Sequence, residues 1–165
     1  MKALPQLTFV EAVKTCFKKY ATFSGRARRS EFWWFSVLNG ILYCCTYALV
    51  SWKMAVKSDL ESQIGEAIFD TDKMAALEAQ AQSCDNIFFP LLVIIGIVGL
   101  ILLLPGLGVT VRRLHDTGRS GNLLWLYLIP LVNCVIGILV LVYALQDSKP
   151  EANKYGPSPK YITEE

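Results

Sequence analysis

Three long stretches without a charged residue constrain this chain more than any other feature of its sequence. They cover residues 32–52, 87–111 and 122–145, with lengths of 21, 25 and 24 residues. A helix rises about 1.5 Å per residue, so each stretch is long enough to cross the roughly 30 Å hydrocarbon core of a bilayer. Only 18% of all residues are charged, against about a quarter in soluble domains. The sequence therefore predicts a single-domain, all-α polytopic membrane protein with three transmembrane helices.

Proline residues make two of these stretches irregular. Pro105, with Gly106 and Gly108, predicts a kink or a broken helix near the end of the second stretch. Pro130 interrupts the third stretch and leaves two interpretations open. Either residues 122–145 cross the membrane completely, which we favour, or their two halves form a re-entrant pair, since neither half is comfortably long enough to cross alone.

Residues 1–31 form a basic arm that contains an amphipathic helix over residues 8–20. Thr8 and Glu11 have the spacing of a capping box, which starts a helix. Apolar and lysine side chains then fall on opposite faces of that helix. A helix of this kind directly before a span is expected to lie in the membrane interface, and packing against another protein surface is the alternative.

The charges of the segments around the three stretches predict the orientation. The arm 1–31 and the short loop 112–121 carry net charges of +5 and +2, whereas residues 53–86 and the tail 146–165 carry −4 and −1. Lys and Arg near spans are retained on the cytoplasmic side, so we expect the N-terminus and the short loop in the cytoplasm. Residues 53–86 are then an exposed external loop with weak helical content, and three crossings leave the tail outside.

Three motifs of this sequence resemble one bacterial family. They are ATFSGRARRSEFWWF at 21–35, VRRLHDTGRSG at 111–121 and NKYGPSP at 153–159. Together they resemble the inner-membrane family known as domain of unknown function 805. The resemblance covers the chain except the acidic loop, which is longer than expected for that family. It implies a helical, multi-pass protein of the bacterial inner (plasma) membrane and brings no reaction, ligand or catalytic residue.

The first two motifs combine several arginines with single carboxylates at the predicted cytoplasmic boundary. Unpaired charge near hydrocarbon is costly, and the planar guanidinium suits carboxylate pairing. We therefore expect Glu31 to face Arg112 or Arg113, and Asp116 to face Arg28 or Arg29. Anchoring of these arginines to lipid phosphates is the alternative. The candidate interfacial network comprises Arg26, Arg28, Arg29, Glu31, Arg112, Arg113, His115, Asp116 and Arg119.

Catalytic, metal and nucleic-acid functions receive little support from the residues. Adjacent side chains on a helix diverge by about 100°, so His115 and Asp116 do not form a catalytic dyad by spacing, and we expect no enzyme. The five cysteines form no metal-ligand pattern, so neither a metal nor a cofactor is expected. Basic residues beside a span favour lipid headgroups over nucleic acid.

A structural, interaction or accessory role in the inner membrane is the prediction that remains. Coupled carriers keep ionisable residues inside the membrane, and the three stretches contain no charged residue. A subunit of an oligomeric channel or of a small transporter is the alternative. The expected partners are the lipid bilayer with its anionic headgroups, and a second copy of the chain or other membrane proteins.

Overall fold

Helices account for most of the chain in the computed structural model, which describes residues 2–67 and 69–162, the side chain of Glu66 excepted. The elements in chain order are β1 (Lys2–Ala3), α1 (Phe9–Lys18), α2 (Arg29–Ala67), α3 (Thr71–Asp116), a 3-10 helix (Gly121–Leu128), α4 (Asn133–Leu145) and β2 (Tyr161–Ile162). The predicted arm, loop and tail extend to residues 1, 68 and 163–165, which lie outside the described residues. The predicted helical class is confirmed.

The amphipathic helix of the arm is α1, and it begins where the capping box predicts. The Thr8 side chain accepts from the backbone N–H of Glu11, and the Glu11 carboxylate accepts from the backbone N–H of Thr8 at 2.9 Å. Two aromatic contacts join α1 to the first turns of α2, Phe9 with Trp34 and Phe17 with Phe35. The helix therefore packs on protein along one face, which is the alternative that the sequence left open.

Two helices, α2 and α3, are long and apolar enough to cross a membrane. They extend well beyond the uncharged stretches, so the prediction that residues 53–86 form a loop is wrong. Among the described residues of that segment, only Phe69 and Asp70 lie outside the two helices. Asp70 starts α3, because its carboxylate accepts from the Lys73 backbone N–H at 3.2 Å. The loop was predicted because apolar residues are scarce in this segment. Good helix formers and local caps nevertheless stabilise helix here.

The predicted break in α3 does not occur, since the helix continues through Pro105, Gly106 and Gly108. Gly108 serves close packing instead. A Cβ atom at that position would lie 3.3 Å from the Thr22 carbonyl oxygen, so the missing side chain lets the turn after α1 approach the helix. Glycine allows two backbones to come close because it has no Cβ atom.

The third apolar stretch, predicted as a span over 122–145, is not one helix. It consists of the 3-10 helix, a turn at residues 129–132 around Pro130, and α4. Proline cannot donate the hydrogen bond that a continuous helix needs, and it clashes with the preceding turn. The two halves pack together around Leu114, Ile136 and Val140.

The chain divides into two compact units. One comprises residues 39–100, within which the Lys53 ammonium pairs with Asp85. The other comprises residues 1–38 and 101–165 and contains α1, α4, both strands and the candidate site. In this second unit β1 and β2 pair antiparallel, with Lys2 opposite Ile162 and Ala3 opposite Tyr161.

Candidate functional site: a buried cluster of arginines and carboxylates

Two glycines with positive φ shape the backbone that carries the charged motifs. Gly25 has a φ of +85° at the turn before α2, and Gly118 has a φ of +84° just after α3. The Gly118 N–H donates to the backbone carbonyl of His115, and the Arg119 N–H donates to that of Leu114. This pair of hydrogen bonds is the Schellman motif, which ends a helix. The segment after Gly25 then runs beside the end of α3, where the Ala27 N–H donates to the Arg112 carbonyl at 3.0 Å.

Asp116 lies at the centre of the cluster, fully buried between two arginines. Its Oδ1 accepts from Arg26 Nε at 2.8 Å, and its Oδ2 accepts from Arg113 Nη1 at 2.5 Å. All three side chains are 1% exposed or less. A buried carboxylate needs compensation of this kind, because removing a charge from water is costly unless it is paired and hydrogen-bonded.

Glu31, in the first turn of α2, forms the second buried pair. Its Oε1 accepts from Arg112 Nη1 at 2.5 Å, and Arg112 Nε donates to the Gly108 carbonyl at 3.2 Å. The Cys16 thiol of α1 lies 3.8 Å from the same carboxylate oxygen. Burial, assisted by the Glu31 charge, raises the pKa of Cys16 to about 12, so the thiol remains protonated at neutral pH. This pair joins α1, α2 and α3.

The polar tail supplies backbone carbonyls to the remaining guanidinium hydrogens. Arg26 donates to the carbonyls of Lys149 at 2.6 Å, Glu151 at 2.8 Å and Gly156 at 3.3 Å. Arg113 donates to the carbonyl of Gln146. The tail thus wraps around arginines of the first two motifs, which ties it to the hinge and to the end of α3.

His115 holds the tail by a different contact. Its ring stacks on Tyr155 with the centroids 3.7 Å apart and the planes 4° from parallel. The Nδ1 atom lies 3.2 Å from the Gly25 carbonyl oxygen, so Nδ1 is the donor. Burial lowers the pKa of His115, which favours the neutral ring at pH 7. A turn over Asn153–Gly156 presents Tyr155, and the Asn153 side chain donates to the His115 carbonyl at 2.9 Å.

The structure brings together most of the predicted network and corrects its pairing. Glu31 faces Arg112, one of the two arginines expected for it. The expectation that Asp116 faces Arg28 or Arg29 is wrong, because Arg26 and Arg113 occupy both carboxylate oxygens. The other two arginines of the first motif, Arg28 and Arg29, do not pair with Asp116. Arg28 donates to the carbonyls of Pro5 and Pro159, and Arg29 is exposed.

Arg119, the last member of the predicted network, lies outside the buried cluster. It is exposed, and its guanidinium lies over the Tyr143 ring, 5.1 Å from the centroid. That contact joins the loop after α3 to α4. The arginine therefore supports the fold by a cation–π contact at an exposed site, worth about 0.5–1 kcal/mol.

The cluster carries three guanidinium groups against two carboxylates, with Arg112 Nη2 and Arg113 Nε making no hydrogen bond to the described residues. Burial lowers the pKa of Arg113, and the Asp116 charge opposes that effect. Asp116 accepts from arginine through both of its carboxylate oxygens, and Glu31 does so through Oε1. The arrangement is suited to fixing three chain segments to one another.

The three motifs that meet in this cluster are those by which the sequence resembles one family, and comparison with known proteins decides the matter. Residues 20–157 match the family described as "Protein of unknown function (DUF805)". The chain belongs to the DUF805 family.

Two named proteins are similar in sequence to this DUF805 member over most of its length. Inner membrane protein YhaH of Escherichia coli (strain K12) is 31% identical over 147 residues, covering 87% of this chain and 91% of the relative. Inner membrane protein YhaI of the same organism is 29% identical over 144 residues, with the same coverage. No solved structure matches. Both relatives are named as inner membrane proteins, and this chain has two helices long and apolar enough to cross a membrane.

Sequence reasoning missed the part that the tail plays in the cluster. From the sequence we predict only the net charge of the tail and its side of the membrane. Its NKYG segment carries the signal, since Asn at the first position and Gly at the fourth are typical of a tight turn. In the structure Asn153 and Gly156 form that turn, and the Tyr155 N–H donates to Asn153 Oδ1 at 2.9 Å.

Proposed function

We propose that this protein is a structural or accessory component of the bacterial inner membrane, with a cytoplasmic face built from its N-terminal arm, the end of α3 and the tail. The observation that carries the proposal is the buried cluster. Its two carboxylates and three arginines are engaged with one another and with backbone carbonyls. Such a set holds chain segments in place and favours a scaffold over a catalyst.

The proposed topology has two full crossings, by α2 and α3, and a third apolar segment that enters the membrane and returns. At about 1.5 Å per residue, the 13 residues of α4 span roughly 20 Å, less than the roughly 30 Å hydrocarbon core. The pairing of β1 with β2 supports a tail on the same side as the N-terminus. The charge pattern favours the cytoplasm for that side.

Photo-crosslinking in native membranes tests the accessory role. A crosslinking residue replaces Val10, which is 70% exposed on α1, and the matched control carries it at Tyr47, 77% exposed within α2. We expect discrete protein adducts from position 10 and lipid adducts from position 47. Lipid adducts alone from both positions contradict an accessory role. Ion conductance by the purified protein in liposomes would favour the channel alternative instead.

A further inference from the structure

A cavity of about 370 Å³ opens next to the buried cluster but shares none of its carboxylates. Its walls come from the N-terminal segment, the first turns of α2 and the tail. Residues that matter for its chemistry are Arg28, Arg29, Ser30, Trp33, Asp147 and Lys160. Neither the family description nor the names of the relatives assign a site to this cavity.

The cavity is strongly cationic, with three basic side chains against the one carboxylate of Asp147. That carboxylate accepts from the Lys160 ammonium at 2.5 Å, and this hydrogen bond lowers the pKa of Asp147. Arg29 is exposed and takes part in none of the ion pairs found among the described residues. Three basic side chains against one carboxylate give the cavity lining a net positive charge.

The walls around these charges are held in place by the protein itself. Arg28 Nη1 donates to the Pro5 carbonyl at 2.7 Å, and Arg28 Nε donates to that of Pro159. Trp34 Nε1 donates to the Leu7 carbonyl at 3.0 Å. Among the described residues, Arg28 donates through Nε and Nη1 and not through Nη2. The start of α2 adds backbone N–H groups without intrahelical partners, which favour an anion.

The position of the cavity along the chain indicates where its ligand comes from. Trp33 and Trp34 line it at the start of the uncharged stretch of α2, and tryptophan is enriched at the level of the lipid headgroups. Guanidinium groups bind phosphate oxygens through parallel hydrogen bonds. A ligand with a phosphate at the level of the lipid headgroups and an apolar chain beside it has the chemical character of a phospholipid.

We propose that this cavity binds a phosphate-bearing anion and that its natural occupant is the headgroup of an anionic phospholipid. The inference rests on the proposed membrane location but not on any protein partner. Its test uses purified protein in detergent, so its failure leaves the accessory role standing.

The experiment measures the melting temperature of the full chain at constant ionic strength during titration with a short-chain phosphatidylglycerol. The same titration is made with a short-chain phosphatidylcholine and with inorganic phosphate. The test variants are Arg29→Gln and Lys160→Gln. The matched control is Arg119→Gln, because Arg119 is exposed and lies outside the cavity.

We expect phosphatidylglycerol to raise the melting temperature of the wild type and of Arg119→Gln with the same half-saturating concentration. For Arg29→Gln, the half-saturating concentration of phosphatidylglycerol should rise about tenfold or more, since this variant loses a charge-assisted contact. A response to phosphatidylglycerol alone supports a lipid headgroup, and an equal, Arg29-dependent response to inorganic phosphate supports a free phosphate. The proposal is overturned if no anion raises the melting temperature, or if Arg29→Gln responds like the wild type.

Discussion

Asp116 is the residue on which the buried cluster depends most directly. It accepts from Arg26 and Arg113 and is fully buried. Changing it to asparagine keeps the shape but removes the charge that compensates both arginines. Breaking a buried pair in this way typically costs about 3–5 kcal/mol.

We predict that Asp116→Asn lowers the melting temperature in detergent by about 10 °C. The matched control is Asp72→Asn, which makes the same change at an exposed site in the first turn of α3 and should shift it by no more than about 2 °C. Equal melting temperatures for both variants would show that the Asp116 pairs add nothing to stability.

Cys16 gives a second prediction at the residue scale. Its side chain is buried, and burial raises its pKa from 9.0 to about 12. The thiolate fraction at pH 8 therefore falls by about a thousandfold. In a variant whose other cysteines are serine, Cys16 should resist maleimide until the protein is denatured. The matched variant that keeps only Cys84, which is half-buried, should react in the folded state, and rapid labelling of native Cys16 would contradict the packing of α1.

At the scale of elements, the sequence predicted the start of α1 and the Glu31–Arg112 pair, but it did not predict the length of α2 and α3 or the partners of Asp116. The capping box started α1 as expected, because Thr8 and Glu11 satisfy each other within one turn. The pairing of Glu31 with Arg112 followed from the cost of unpaired charge. The partners of Asp116 depended on how the segment after Gly25 places Arg26 and Arg28, which spacing alone does not reveal. Of the tail carbonyls around Arg26, that of Gly156 belongs to the NKYG turn, whereas no side-chain pattern indicates those of Lys149 and Glu151.

The helical continuation of α2 and α3 beyond the apolar stretches is directly testable. We predict slow hydrogen exchange for the backbone amides of residues 53–66 and 75–86 in lipid nanodiscs, because intrahelical hydrogen bonds protect them. The amide of Phe69, which lies in the connection between the two helices, should exchange faster and serve as the internal reference. Uniformly fast exchange across 53–86 would restore the loop that the sequence suggested.

At the scale of the whole molecule, contacts between the N-terminal segment and the tail support the proposed topology of two crossings. β1 pairs with β2, and Arg26 and Arg28 donate to carbonyls of the tail. Three full crossings would place these partners on opposite sides of the membrane, where they could not meet. The sequence alone left this open, because Pro130 is compatible with either a kinked span or a re-entrant pair.

Single-cysteine labelling in intact spheroplasts tests the central claim that the tail and the arm share the cytoplasmic side. Three variants in a cysteine-free background carry Lys14→Cys in α1, Ser62→Cys in the extension of α2, or Ala152→Cys in the tail, all at exposed positions. With a membrane-impermeant maleimide, position 62 should react in intact spheroplasts, and positions 14 and 152 only after lysis. Labelling of position 152 in intact spheroplasts, with position 14 still protected, would contradict the account and favour three crossings.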